Sequence, residues 1–146
     1  MHPLLLKAGV GAAALAAGGG FALFGSGSPA AAYSSPPIFL SVSIQSPATL
    51  TAHGAAVQVP VKYSCSTGGD AYLTVTVTER VGRKTASGSH QQEVGCTNGN
   101  QTVLVTVPSQ NGVSFGKGTA YAQADLIEFT YYTYGEEQDA ATIQIK

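Results

Sequence analysis

The stretch Ala71-Tyr72-Leu73-Thr74-Val75-Thr76-Val77-Thr78 decides how this chain folds. Its apolar side chains alternate with Tyr and Thr, so the pattern has a period of two residues. Successive side chains of a β-strand point to opposite faces of a sheet, and this period therefore predicts a strand with one buried face. We expect Val75 to point into a core and Thr76 to point away from it.

The same alternation recurs on both sides of this stretch, with Gly, Asn and Asp turn signals between the runs. The apolar positions are Leu40, Val42 and Ile44; Val57, Val59, Val61, Tyr63 and Cys65; Val103, Val105 and Val107; Ala120, Ala122, Ala124 and Leu126; and Ala141, Ile143 and Ile145. A weaker strand is expected around Ser87–Val94. About seven strands at this spacing predict an all-β fold, a two-sheet antiparallel sandwich.

Two residues leave local alternatives open. Pro60 lies in a strand-like run but has no backbone N–H, so this run is expected to bulge or to lie partly at a sheet edge. Tyr121 is either part of a tyrosine corner or an outward side chain on a strand.

The composition excludes some classes of function. Charged residues make up 10% of the chain, which has 7 Lys and Arg against 8 Asp and Glu. Lys7 is the one basic residue of residues 1–32, so the remainder carries a net negative charge. A nucleic-acid-binding domain normally presents a basic face, and this charge balance does not provide one.

The N-terminal segment has the layout of a secretory signal peptide. Lys7 precedes the uncharged run Ala8–Phe24, and Ala30 and Ala32 provide the small residues of a cleavage site. We expect residues 1–32 to be a signal peptide, 33–37 an extended leader and 38–146 one domain, secreted to the extracellular space. The alternative is an uncleaved membrane anchor, although this run would span only about 26 Å as a helix, short of the roughly 30 Å hydrocarbon core.

Cys65 and Cys96 are the two cysteines of the chain. In an exported protein, a single pair is read as a structural disulfide. A redox or metal-binding pair would need close spacing, such as C-x-x-C, and further ligands.

Several segments together resemble the immunoglobulin-like domains of small secreted proteins from actinobacteria such as Streptomyces. They are Tyr63-Ser64-Cys65, Ala71–Gly82, Val94-Gly95-Cys96-Thr97, Gln101–Val107 and Phe115–Ala122. The resemblance covers residues 40–146 and implies a seven-stranded antiparallel immunoglobulin-like β-sandwich in an extracellular setting. It implies no activity. Unlike antibody domains, the chain has no core Trp, and its bridge is expected to join the end of the second strand to the connection before the fifth.

The sequence provides no pattern for catalysis or metal binding. Its histidine bases after residue 32 are His53 and His90, and both are expected in solvated loops; no G-x-S-x-G motif accompanies them. The acidic cluster Glu136, Glu137 and Asp139 lacks the spacing of an EF-hand and is expected to form a solvated hairpin tip. We therefore expect neither an enzyme nor a cofactor or metal site.

The tyrosine-rich segment Phe129–Tyr134 is the candidate binding surface. If Phe129 and Tyr131 point inward, alternation turns Tyr132 and Tyr134 outward, and the reverse holds equally. Exposed tyrosines offer a large contact area at low entropic cost. The alternative is that these rings cover a sheet edge or pair across strands. The candidate surface comprises Tyr131, Tyr132, Tyr134, Glu136, Glu137 and Asp139.

These observations favour an exported, non-catalytic domain that binds a protein, a cell-wall polymer or a small ligand. The alternative is a purely structural module at the cell surface or outside the cell. An enzyme is the least favoured class. No nucleic-acid partner is expected, and no stable membrane anchor remains once the signal peptide is removed.

Overall fold

The computed structural model describes residues 37–66, 69–131 and 133–146. Eight strands form: β1 (Leu40–Ile44), β2 (Thr49–Thr51), β3 (Ala56–Cys65), β4 (Asp70–Val81), β5 (Lys84–Gly95), β6 (Gln101–Pro108), β7 (Gly118–Phe129) and β8 (Tyr134–Ile145). A single 3₁₀ turn, Ala52–Gly54, joins β2 to β3. The all-β prediction is confirmed.

The strands form two antiparallel sheets packed as a sandwich. In the first sheet, β3 lies between β6 on one side and the β1 and β2 segments on the other. The second sheet has the order β5-β4-β7-β8. If β1 and β2 count as one interrupted strand, this is an immunoglobulin-like arrangement in which the fourth strand, β5, has joined the second sheet.

The strand count differs from the predicted seven because the first strand is divided. β1 pairs with the second half of β3, from Ile44 opposite Val61, whereas β2 pairs with its first half, from Thr49 opposite Gln58. Between them, the chain leaves β3 and reaches the edge of β8, where the Ala48 N–H donates to the Gln144 carbonyl (2.8 Å). The segment between β1 and β2 therefore connects the first sheet to the edge strand β8 of the second sheet.

The division of the first strand also explains the position of Pro60. Its carbonyl accepts a hydrogen bond from the Gln45 N–H (2.8 Å), at the point where β1 ends and β2 has not begun. The N–H that proline lacks would point to this same gap, because both backbone groups of a strand residue point to the same side. Pro60 therefore lies within a central strand but at a local edge, in keeping with the expectation of a partial edge.

The core consists of the predicted apolar faces. Val75 and Val77 of β4 are fully buried, as are Val57, Val59 and Val61 of β3. Thr76 points to the outer side and donates a hydrogen bond to the Ser89 hydroxyl (3.1 Å). Tyr121 is an outward side chain of β7, 53% exposed, which decides between the two alternatives for that residue.

The disulfide is also confirmed. Cys65, the last residue of β3, is bonded to Cys96, which follows β5 and precedes β6. The bridge therefore joins the two sheets at one end of the sandwich. The buried Tyr63 hydroxyl lies beside it, and its one proton is shared between the Gly95 carbonyl (3.2 Å) and Gln101 Oε1 (3.1 Å). Burial raises the pKa of Tyr63.

The predicted signal peptide (residues 1–32) and most of the predicted leader (33–37) lie outside the described residues. Pro37, the last residue of that leader, has no regular secondary structure. Within the described ranges, the structure contains no helix with the length and apolarity needed to cross a membrane.

Candidate functional site

The tyrosine-rich segment forms the turn between β7 and β8. The Thr130 N–H donates to the Thr133 carbonyl (2.9 Å), and the Thr133 N–H donates to Thr130 Oγ1 (3.0 Å). These two bonds close the turn and place Tyr131 at its tip, where the side chain is 100% exposed. Tyr132, another residue of the candidate surface, lies outside the described residues.

The predicted alternation through this segment is wrong. Phe129 and Tyr134 are directly opposite each other in the β7–β8 ladder, and both point to the outer side of the second sheet. Alternation holds only within a continuous strand, and the turn at Thr130–Thr133 interrupts it. As a result, the two rings face solvent together.

Three aromatic rings form a continuous cluster on this outer face. The ring centroids of Tyr72 and Phe129 are 6.3 Å apart with an interplanar angle of 67°, and those of Phe129 and Tyr134 are 5.5 Å apart at 52°. The three side chains are exposed by 37%, 51% and 57%, in the order Tyr72, Phe129 and Tyr134. We call these residues the aromatic cluster. Edge-to-face geometry at such distances is favourable for aromatic pairs, so the rings support one another.

Three carboxylate residues are neighbours of the aromatic cluster on the outer face of the second sheet. Asp70 is opposite Phe129 in the β4–β7 ladder, and Glu93 is opposite Tyr72 in the β4–β5 ladder. Glu136 Oε2 accepts a hydrogen bond from the Tyr134 hydroxyl (2.6 Å). We call Asp70, Glu93 and Glu136 the acidic rim; all three are exposed.

The acidic rim changes the chemistry of the tyrosine that it contacts. The hydrogen bond to the Glu136 carboxylate raises the pKa of Tyr134, with smaller contributions from desolvation and from the negative charge of Glu136. Tyr134 therefore keeps its proton and continues to donate to Glu136 above the pH at which a free tyrosine ionises.

The prediction that the acidic cluster forms a hairpin tip is also wrong. Residues Glu136–Asp139 lie inside β8, and the tip is Thr130–Thr133 instead. Gly135 suggests a turn in the sequence, but it pairs with Glu128 in the ladder. Its function is to leave space, because a Cβ there would lie 2.8 Å from Ile38 Cγ2.

Two members of the candidate surface lie apart from the others. Glu137 and Asp139 alternate with Glu136 and so point to the other side of β8, toward β1. Asp139 Oδ2 accepts a hydrogen bond from the Ile44 N–H (2.7 Å) and thereby joins the edges of the two sheets. Asp139 has a structural function in this arrangement. Tyr131, Tyr134 and Glu136 remain at the outer surface.

Sequence reasoning did not include Tyr72, Glu93 and Asp70 in the surface. The outward position of Tyr72 follows from the period of β4, but its proximity to Phe129 depends on β7 being the neighbour of β4. A single sequence does not specify this strand order. The sequence did contain one indication of this surface: Tyr72 in β4 and Phe129 in β7 are aromatic residues at positions that alternate with the buried ones.

The two histidines that were considered as catalytic bases are both exposed. His53 is exposed in the 3₁₀ turn, whereas His90 is exposed within β5, opposite Val75, rather than in a loop as expected. No group of three His, Cys, Asp or Glu side chains in residues 37–66, 69–131 and 133–146 has the geometry to hold a metal ion.

A shallow, open depression of about 350 Å³ beside the disulfide is lined in part by Phe39, Ser66 and Asn98. It lacks the enclosure that is typical of small-molecule sites.

Comparison with known proteins leaves the family of the chain open. No protein-family model matches it, and no curated protein sequence matches it. Among solved structures, the chain is similar to AggA, the major subunit of aggregative adherence fimbriae type I from Escherichia coli, with 12% sequence identity and a TM-score of 0.42. The similarity covers 77% of this chain and 96% of that one.

Proposed function

We propose that this chain is an exported, non-catalytic domain that binds a partner through the aromatic cluster and the acidic rim. The observation that carries the proposal is the cluster itself: three mutually supporting rings exposed on one sheet face. Large exposed apolar side chains in a group mark interaction surfaces, whereas single ones are ordinary. Export is supported by the signal-like residues 1–32 and by the disulfide, which suits an oxidising compartment.

The orientation of the rings favours a protein partner over a flat polymer. A crystalline polysaccharide presents a plane, and coplanar rings are needed to stack on it. The rings here are inclined to one another by 67° and 52°, so they do not form a flat platform. The side chains of a partner protein can pack against such an uneven surface, and the acidic rim favours basic side chains among them.

The alternative is a purely structural module, outside the cell or at its surface, in which the aromatic cluster binds no other molecule. It has the same fold and the same disulfide, and the two readings differ only in whether the aromatic cluster makes a contact. The resemblance to immunoglobulin-like secreted proteins of actinobacteria fits either reading. Single substitutions in the cluster discriminate between them.

The binding proposal is tested by immobilising the secreted protein and measuring retention of extracellular proteins, cellulose, chitin and peptidoglycan. Tyr134→Ser should weaken binding of a retained protein by about 2 kcal/mol, or about 30-fold in Kd. Leu104→Ser is the control, because Leu104 is similarly exposed (59%) but lies in β6 of the first sheet, away from the cluster. Equal retention by both variants, or retention neither of another protein nor of the purified domain itself, would exclude the proposal. The mass of the secreted protein, expected to begin at Tyr33, tests export in the same preparation.

A further inference from the structure

The charged side chains of the second sheet are separated along its strands. The acidic rim lies where β4 begins and β7 ends, together with the aromatic cluster. The opposite end carries exposed basic residues: Arg80 in β4, Arg83 and Lys84 at the β4–β5 hairpin, and Lys117 just before β7. We call these four residues the basic end.

No exposed carboxylate side chain of the described residues offsets the basic end. The one acidic side chain nearby is Glu79, which is buried at 3% exposure. Its Oε2 accepts the Gly116 N–H (2.8 Å) and so holds the connection that leads to β7. The basic end therefore presents a net positive charge to solvent.

The two ends are too far apart to neutralise each other. Asp70 and Arg80 are ten positions apart in one strand, or about 33 Å at 3.3 Å per residue. The Debye length is about 8 Å at physiological ionic strength. Each molecule is therefore polarised, with one negative and one positive surface available for an external contact.

The side chains of the basic end can also bind aromatic rings and carboxylates. Arginine stacks on the faces of tyrosine and phenylalanine rings and pairs bidentately with carboxylates. Arg83 is well placed for both, because it lies in the two-residue turn between β4 and β5 and is exposed.

We propose that the occupant of the aromatic cluster and acidic rim is the basic end of a second copy of this chain. The inference rests on the proposed binding function and names its partner. The contact is heterologous, since it joins two different surfaces, and the resulting pair keeps one free acidic rim and one free basic end. Head-to-tail contacts that do not close into a ring produce open chains. The acidic rim and the basic end lie at opposite ends of the same strands, which favours growth along the strand direction over closure. We therefore infer that the secreted domain is a subunit that assembles into linear chains.

The first test is the mass of the secreted protein by analytical ultracentrifugation. At about 20 mM salt, the weight-average mass should rise with protein concentration, and at about 500 mM salt it should return to that of the monomer, because screening weakens contacts between exposed charges. A monomer at every concentration in low salt would overturn the inference.

The second test uses two neutralised variants. The rim variant carries Asp70→Asn, Glu93→Gln and Glu136→Gln. The end variant carries glutamine in place of all four residues of the basic end, Arg80, Arg83, Lys84 and Lys117. Each variant alone should remain monomeric in low salt, because one surface of every contact is missing. A mixture should form one-to-one dimers that grow no further, since the intact basic end of one variant can bind the intact rim of the other.

The outcomes separate this inference from the proposed function. An end variant that still self-associates would show that the contact does not use the basic end, and would overturn the head-to-tail arrangement. Retention of another protein by the immobilised wild type, lost in Tyr134→Ser, would leave the binding function intact even if the chain never self-associates. Unchanged thermal unfolding of both neutralised variants confirms that the comparison is between folded proteins.

Discussion

Gly88 shows how a single position can determine the fit of the two sheets. A Cβ at this position in β5 would lie 2.0 Å from the Pro108 carbonyl oxygen of β6. Because that atom belongs to the backbone, the strands would have to separate to admit even a methyl group. The close approach of β5 to the end of β6 therefore depends on glycine.

We predict that Gly88→Ala lowers the free energy of unfolding by about 3 kcal/mol. Gly95→Ala is the matched control in the same strand, since a Cβ there has no atom within 4 Å. It should change stability by less than about 0.5 kcal/mol. Denaturant unfolding of both variants measures the difference, and similar midpoints would mean that β5 does not approach Pro108 this closely.

Residue-scale predictions from the sequence succeed where one period runs through one strand. Val75 and Thr76 lie on the expected faces because the core imposes alternation along all of β4. Phe129 and Tyr134 were placed on opposite faces because the turn between them has no Gly or Pro to mark it. Its hydrogen bonds come from Thr130 and Thr133, residues that occur equally in strands.

At the scale of elements, β5 is an edge strand whose free backbone groups are partly covered. The Asn111 side chain donates from Nδ2 to the Thr85 carbonyl (2.6 Å), and the Gln110 N–H donates to the Ser87 carbonyl (2.9 Å). Gln110 Nε2 donates further along the edge, to the Ser89 carbonyl (2.8 Å). Covering an edge in this way blocks pairing with strands of other molecules.

We predict that Asn111→Ala costs about 1 kcal/mol of stability through the lost hydrogen bond. The Ser87 N–H donates to Asn111 Oδ1 (3.4 Å), so exchange of this amide with solvent should also become faster, which hydrogen–deuterium exchange measures. Asn98→Ala, an exposed change in the connection between β5 and β6, is the control and should leave both quantities unchanged. Unaltered exchange in Asn111→Ala would show that this side chain does not protect the edge.

The sequence predicted some strands better than others. Long alternating strands such as β4 and β7 were identified because their apolar faces are complete. β5 was predicted only as a weak strand because its inward positions include Gly88 and His90 instead of a run of apolar residues. The division of the first strand into β1 and β2 was missed because it depends on a contact with β8, far away in the sequence.

For the molecule as a whole, the candidate site was predicted only in part. The tyrosine-rich turn and Glu136 were identified from composition. Tyr72, Glu93 and Asp70 join them only through the strand order β5-β4-β7-β8. The charge separation has the same origin, since antiparallel pairing brings residues from distant parts of the sequence to one end of the sandwich.

The disulfide is a covalent cross-link between the two sheets in addition to the backbone connections, and its effect on stability belongs to the whole molecule. Cys65 and Cys96 are 31 positions apart, and closing a loop of this size restricts the unfolded chain by about 3.7 kcal/mol on the chain-entropy estimate. The core consists largely of Val and Ala, which bury modest areas, so this contribution is a substantial share of a typical net stability of about 5–15 kcal/mol.

We therefore predict that reduction lowers the free energy of unfolding by about 2–5 kcal/mol, measured by denaturant unfolding with and without reductant. The double variant Cys65→Ser and Cys96→Ser should have the stability of the reduced protein and should not respond to reductant. If reductant also lowers the stability of that variant, the loss of stability in the wild type has a cause other than reduction of the disulfide. Equal stability of the oxidised and reduced wild type would instead mean that packing between the sheets, and not the covalent link, holds the sandwich together.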